Sequence, residues 1–358
     1  MRQKSLAVFL ACLFCVNSFV DFAWCANYAI LIGINMYPDI EENLSGYERI
    51  SLKNLKYCID DMTGLKAALV KSRYANNEKN IVLLTTRGQT TSENILKVLN
   101  GYKGKLGAND NILVAFAGHG ISLASKYSPE LKDDYFCCSN AQIKYNRNSN
   151  EFDNEGLISL TEMNKILEGF KCSSKIFFTD ACRSIVDQES FGRSGEILTG
   201  EVTKSVTNTS LIRGGLPNMT KVPKNIRGFH RIASCSIDEV SHEMPTFKHG
   251  VFTNFLIKGL EGAADENGDG RITLRELFDF ASEMTTHTVY THISKDLSQT
   301  PTYSTKEATG NFVVGHCTPK TPQSTGQGTQ QGNTQQPQNN QQLYNPPRGG
   351  SAPGGGRG

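Results

Sequence analysis

Lys175-Ile176-Phe177-Phe178-Thr179 runs directly into Asp180-Ala181-Cys182-Arg183-Ser184. A short apolar run without alternation is the pattern of a strand covered on both faces, which is how strands inside parallel sheets read. Asn111-Ile112-Leu113-Val114-Ala115-Phe116 is a second such run, and it ends in Ala117-Gly118-His119-Gly120. Outward from these two, residues 28–34, 81–85 and 229–234 read as further strands. Residues 55–70, 92–99, 161–170, 253–260 and 274–287 have helical spacing. Strands and helices that alternate along a chain predict an α/β protein, with a mostly parallel central sheet and helices on both faces.

The chain has 358 residues, 38% of them hydrophobic and 20% charged, with a formal net charge of +2. That composition supports a packed globular body and argues against nucleic acid as a partner. At the N-terminus, Arg2 and Lys4 precede an apolar run over 6–20 that stops at Asp21, the pattern of an export signal. About fifteen apolar residues fall short of the roughly twenty that a membrane span needs. Ala23-Trp24-Cys25 presents small residues where a signal peptidase reads, so residues 1–25 are assigned to a signal cleaved after Cys25. The mature protein is then exported, periplasmic or secreted, with no stable membrane span; an uncleaved signal anchor is the alternative. Residues 26–317 form the folded domain, with a polar, glycine-rich loop at 187–228. From 318 to 358 the composition changes to Gln, Asn, Gly, Pro, Ser and Thr, which predicts a disordered tail.

Seven of the ten cysteines lie beyond the signal. Export permits disulfides, and the six other than Cys182 allow fifteen connectivities if they all pair, or stand as buried thiols. In an open parallel sheet, ligands bind at the carboxyl ends of the strands. Cys182 and His119 are both placed just past such ends. If their strands are neighbours, the imidazole can take the thiol proton and leave the thiolate as nucleophile. Gly120 adds a backbone N–H with no side chain in the way. With the N–H of Cys182 it forms a candidate oxyanion hole.

Gly-His-Gly after one strand and Asp-Ala-Cys-Arg-Ser after the next resemble the motifs of caspase-like cysteine peptidases, metacaspases and bacterial caspase-domain proteins more than animal caspases. The resemblance runs from Tyr28 to about Phe312. It takes in Cys58-Ile59-Asp60-Asp61 and His249-Gly250-Val251-Phe252-Thr253. It implies a His–Cys dyad in a three-layer α/β sandwich with a sheet of about six strands. Animal caspases carry Gln two residues before the nucleophile, and this chain has Asp180. In metacaspases that aspartate and the last residue of the Cys-x-x-Asp stretch, here Cys58 to Asp61, line the pocket for the residue before the scissile bond. Cleavage of protein or peptide substrates after Arg or Lys is what this implies. Ala117 departs from the serine usual there. A basic-specific enzyme could also cut itself in 187–228, at Arg193, Lys204, Arg213, Lys221, Lys224 or Arg227.

Asp265-Glu266-Asn267-Gly268-Asp269-Gly270-Arg271-Ile272-Thr273-Leu274-Arg275-Glu276 satisfies the EF-hand pattern. Asp265, Asn267, Asp269, Thr273 and Glu276 supply oxygens, Arg271 its carbonyl, and Gly270 the sharp turn, so Ca2+ is the expected ligand. The alternative is a metal-free turn that caps the next helix through Asp269 and Thr273. Residues 151–162 echo the pattern in degenerate form, and Asn140 and Ser159 stand where metacaspases carry activating acids. No cofactor is needed for the chemistry. The competing function is a non-catalytic caspase-fold protein that binds calcium or acts as a scaffold.

Overall fold

The structure is a computed structural model that describes residues 25–38, 47–50, 52–125, 128–146, 148–149, 151–186, 226–236, 239–308 and 311–319. The predicted signal (1–25) up to residue 24, the predicted loop (187–228) up to residue 225 and the predicted tail (318–358) from residue 320 lie outside the described residues. In chain order the first elements are β1 (Asn27–Gly33), β2 (Tyr47–Ile50), α1 (Cys58–Lys71), β3 (Ile81–Leu84), α2 (Ser92–Tyr102), β4 (Asn111–Ser125) and β5 (Ser128–Asn146). There follow β6 (Glu151–Ser159), α3 (Leu160–Glu168), β7 (Ser174–Val186), β8 (Phe229–Ala233), β9 (Glu243–Met244), β10 (His249–Gly250) and α4 (Val251–Lys258). The last are β11 (Arg271–Thr273), α5 (Leu274–Thr288), β12 (Thr302–Lys306) and β13 (Val313–His316).

Five strands run parallel in the order β3-β1-β4-β7-β8, and β12 closes the β8 edge antiparallel. This six-strand path is the predicted α/β sheet. Its centre is continuously apolar: Ala29 to Ile32, Ile112 to Phe116 and Ile176 to Phe178 are all buried. The chain passes from β1 outward to β3 and then back to β4 and β7. With right-handed crossovers, α1 covers one face and α2 and α3 the other. Helix α4 packs on α1, and α5 on α4, which completes the first layer. Gly33, the last residue of β1, touches the carbonyl of Cys58, and a Cβ there would overlap that backbone.

Among the described residues eight strands were not expected from the sequence, and β2, β5, β6 and β12 of these belong to the main sheet. Beyond Gly120, β4 folds back through β5, which pairs antiparallel with β4, β2 and β6. The degenerate echo of the calcium pattern over 151–162 falls on one of these strands. Residues up to Ser159 form β6 against β5, and Ser159 Oγ then caps α3 by accepting from Glu162 N–H at 3.0 Å. Cys137, Cys138 and Cys172 are buried thiols, so the fully paired cysteine framework does not form. Burial pushes the Cys172 thiol up to about 11. Such groups behave as small core hydrophobes.

Candidate active site

β4 and β7 pair residue for residue from Asn111 opposite Ser174 to Leu123 opposite Val186, and in that register His119 stands opposite Cys182. Adjacent strands lie about 4.8 Å apart, so the two backbone positions are immediate neighbours. The prediction that both residues lie past their strands is corrected, because β4 and β7 continue beyond them. What ends at this level are the flanking strands. The pairing of β1 stops at Gly33 opposite Ala117, and that of β8 at Ala233 opposite Thr179. From Gly120 onward β4 takes β5 as its new partner. His119 thus sits where the sheet changes neighbours, the kind of place where α/β folds bind ligands.

His119 is 3% exposed, and its Nε2 lies 2.7 Å from the carbonyl oxygen of Lys53. A carbonyl only accepts, so Nε2 is the protonated nitrogen in this contact. The His119 N–H donates to Tyr37 Oη at 2.8 Å, and the two rings lie 4.8 Å apart. The Lys53 carbonyl belongs to a segment laced to the turn after β1. Leu55 N–H donates to Asn35 O at 2.8 Å, Asn35 Nδ2 donates to Lys56 O at 2.8 Å, and Ile59 N–H donates to Asn35 Oδ1 at 3.0 Å. Gly120 stands opposite Arg183 on β7 and Phe136 on β5.

Asp180 and Asp61 are both buried, and both converge on the start of α4. Asp180 Oδ1 accepts from Ser241 Oγ and its Oδ2 from Thr253 Oγ1, each at 2.6 Å. Asp61 Oδ1 accepts from Gly250 N–H at 2.8 Å and lies 3.1 Å from His249 Nδ1. A helix N-terminus favours negative charge, which helps to hold two carboxylates away from water. Cys58 opens α1 and is buried, with its Sγ 3.9 Å from Glu243 Oε1. That Glu243 carboxylate also accepts from the N–H groups of Lys56 and Tyr57, at 3.4 and 3.1 Å, and so anchors the entry to α1. The predicted pocket residues therefore share one neighbourhood. Tyr37, the Lys53 carbonyl, Ser241 and Thr253 were not foreseen. Of these only Thr253 lay in a stretch that the sequence singled out.

The predicted calcium loop lies between a π-helical turn (Gly259–Ala263) and α5. Gly268 and Gly270 take φ values of 75° and 79°, the left-handed region where glycine is favoured. Asp265 Oδ2 accepts from Gly270 N–H at 3.2 Å, Asn267 Oδ1 from Asp269 N–H at 2.8 Å, and Asp269 Oδ1 from Arg271 N–H at 2.8 Å. Thr273 and Glu276 form a capping box at the start of α5. Glu276 Oε1 also accepts from Asn267 Nδ2 at 2.9 Å. The capping geometry is thus present. Among the described residues no group of three or more His, Cys, Asp or Glu side chains is arranged to hold a metal.

The structure thus sets a cysteine and a histidine on adjacent parallel strands, at a change of sheet neighbour in an α/β protein. The chain belongs to the caspase-domain family of cysteine peptidases, peptidase family C14, whose model matches residues 26–313. Caspase-1 from Spodoptera frugiperda is similar at 16% identity and a TM-score of 0.49, over 82% of this chain and 91% of that one. Protein GSU0716 from Geobacter sulfurreducens is similar at 14% identity and a TM-score of 0.47, over 82% and 95% respectively. A search of curated proteins finds no match.

Proposed function

We propose that the protein is a cysteine endopeptidase in which His119 deprotonates Cys182 and the thiolate attacks the scissile carbonyl. The observation that carries this reading is the register of His119 against Cys182, with His119 Nε2 tied to a carbonyl that leaves Nδ1 as the base. Gly120 and Cys182 N–H groups would hold the oxyanion, and the acyl-enzyme would then be hydrolysed by water. Asp61 and Asp180 support a preference for Arg or Lys before the cut bond, because the Ser241 and Thr253 hydroxyls solvate Asp180 without cancelling its charge. The basic residues of 187–228, the predicted loop, support that stretch as a substrate for self-processing. The signal-like N-terminus supports export of the mature protein. Among the described residues no helix is long and apolar enough to cross a membrane.

The test is hydrolysis of Arg- or Lys-terminated fluorogenic peptides by the mature protein beside Cys182→Ala. Release is expected from the wild type only, with an acid-terminated peptide left intact. Cys182→Ala should also remain a single chain where the wild type is cut within 187–228. Release that does not depend on Cys182 would remove the enzyme reading in favour of a scaffold.

We also infer that the 265–276 loop binds Ca2+ through Asp265, Asn267, Asp269, Thr273, Glu276 and the Arg271 carbonyl. The donors are all oxygen, as a hard cation requires, and the two left-handed glycines let the backbone turn round them. Calcium at a hundred times its dissociation constant would add about 2.7 kcal/mol of stability, which raises Tm by about 5 °C or more. Glu276→Gln is the discriminating variant. Glutamine still serves a capping box but not a bidentate carboxylate, so it should keep the metal-free Tm and lose the calcium increment. A wild-type Tm that calcium leaves unchanged would mean that the loop is a cap alone.

A further inference from the structure

β1 stops at Gly33 while β4 runs on, so β4 loses its neighbour on that side after Ala117. Ile34 N–H still reaches Ala117 O at 3.0 Å, and β5 takes over from Gly120. His119 falls between the two. Its N–H finds Tyr37 Oη instead, so a side-chain hydroxyl substitutes for a missing strand. The same phenol ring packs on the imidazole at 4.8 Å with a tilt of 49°. Its hydroxyl also fills the space beside Gly118, where a Cβ would come within 2.9 Å of it. Tyr37 is itself fixed, because its N–H donates to Asn54 Oδ1 at 2.8 Å. Asn54 follows Lys53, whose carbonyl holds Nε2. The histidine is thus gripped at its backbone, its ring face and its distal nitrogen by two short segments bound to each other.

We propose that Tyr37 is a positioning residue for the thiol–imidazole pair, its hydroxyl fixing the β4 backbone at His119 and its ring fixing the plane in which Nδ1 is presented. This rests on the reading of His119 and Cys182 as the catalytic pair. Burial pushes the Tyr37 hydroxyl well above the ordinary tyrosine range, so it stays neutral at every working pH. Tyr37 touches neither substrate nor the reacting atoms in this role. Its effect passes through His119.

The experiment compares Tyr37→Phe with Tyr74→Phe. Tyr74 is equally buried, and its hydroxyl donates to Tyr28 O at 3.2 Å, at the start of β1 opposite Ile112, seven residues before His119 on β4. Three quantities are read: kcat and KM on an Arg-terminated peptide, the rate of Cys182 alkylation by iodoacetamide at neutral pH, and Tm. Tyr37→Phe should lower kcat and the alkylation rate about tenfold to a hundredfold with KM unchanged, the scale of a misplaced catalytic group. Tyr74→Phe should lower Tm alone. Equal kcat and alkylation rates in the two variants would overturn the proposal. Wild-type alkylation that does not depend on His119 would overturn both this proposal and the peptidase reading. Alkylation that depends on His119 but not on Tyr37 would overturn this one only. If Tyr37→Phe does not fold, Asn54→Ala, which releases the same segment from the surface side, should lower kcat in the same direction, and an unchanged kcat would be the contrary result.

Discussion

Replacement of His119 by alanine should lower kcat/KM on an Arg-terminated peptide by about a thousandfold, within the range that general acid–base groups supply. The protein should still fold. If His119 acts as proposed, the loss has two parts. The thiol loses the base that holds it as thiolate, and free thiols are mostly protonated at neutral pH. The leaving amine loses its proton donor, because a ring that has taken the thiol proton on Nδ1 is the group that returns it. Steady-state kinetics together with the pH dependence of Cys182 alkylation measure both. In the wild type the alkylation rate should stay high to well below the ordinary thiol range. In His119→Ala it should rise only as the pH nears about 8.5, the reference value for cysteine. A variant with an unchanged alkylation profile would show that His119 does not act on the thiol.

Acid should destabilise the fold steeply, with His230 and His242 as two of the groups responsible. His230 lies on β8 with Nδ1 at 2.7 Å from Tyr303 Oη, and His242 lies just before β9. Both are buried, and burial brings each down to about 4; at His242 the nearby Glu239 acts weakly in the opposite sense. The unfolded chain binds a proton at each near 6.5, while the folded chain does not until about 4. Each histidine's contribution is therefore complete above pH 6.5 and is lost as the pH falls from there toward 4. The loss is roughly 3 kcal/mol per histidine, large against the 5–15 kcal/mol that holds a typical domain. Urea midpoints measured between pH 7 and pH 4 should drop accordingly, and His242→Leu should flatten the curve. An equally steep curve in that variant would exclude His242.

The parallel centre of the sheet was legible because β1, β4 and β7 are covered on both faces, and only an unbroken apolar run satisfies that environment. β5 was not. Its stretch mixes Asp133 and Asp134 with Phe136, Cys137 and Cys138, and its value as a strand comes from β4, β2 and β6 lying against it. The two residues proposed as catalytic could be picked out from their motifs. Their face-to-face register could not, because nothing in either motif counts positions along the other strand. Lys53 acts through a carbonyl that any residue would supply, so its identity carries no trace of the role. Tyr37 left a faint signal as an aromatic four residues past the end of a buried strand, of the kind that more often marks core packing.

The start of α4 and the segment before it are tied to residues on both sides of the predicted loop at 187–228. Asp61 and Asp180 come from before it, and Ser241, His249, Gly250 and Thr253 from after it. The ladder of β7 with β8 bridges the same gap through five residue pairs. A chain cut in that loop would keep all of these contacts, since none of them passes through the severed segment. The halves would be a heterodimer born already assembled, and the covalent link that once joined them would be dispensable to the particle.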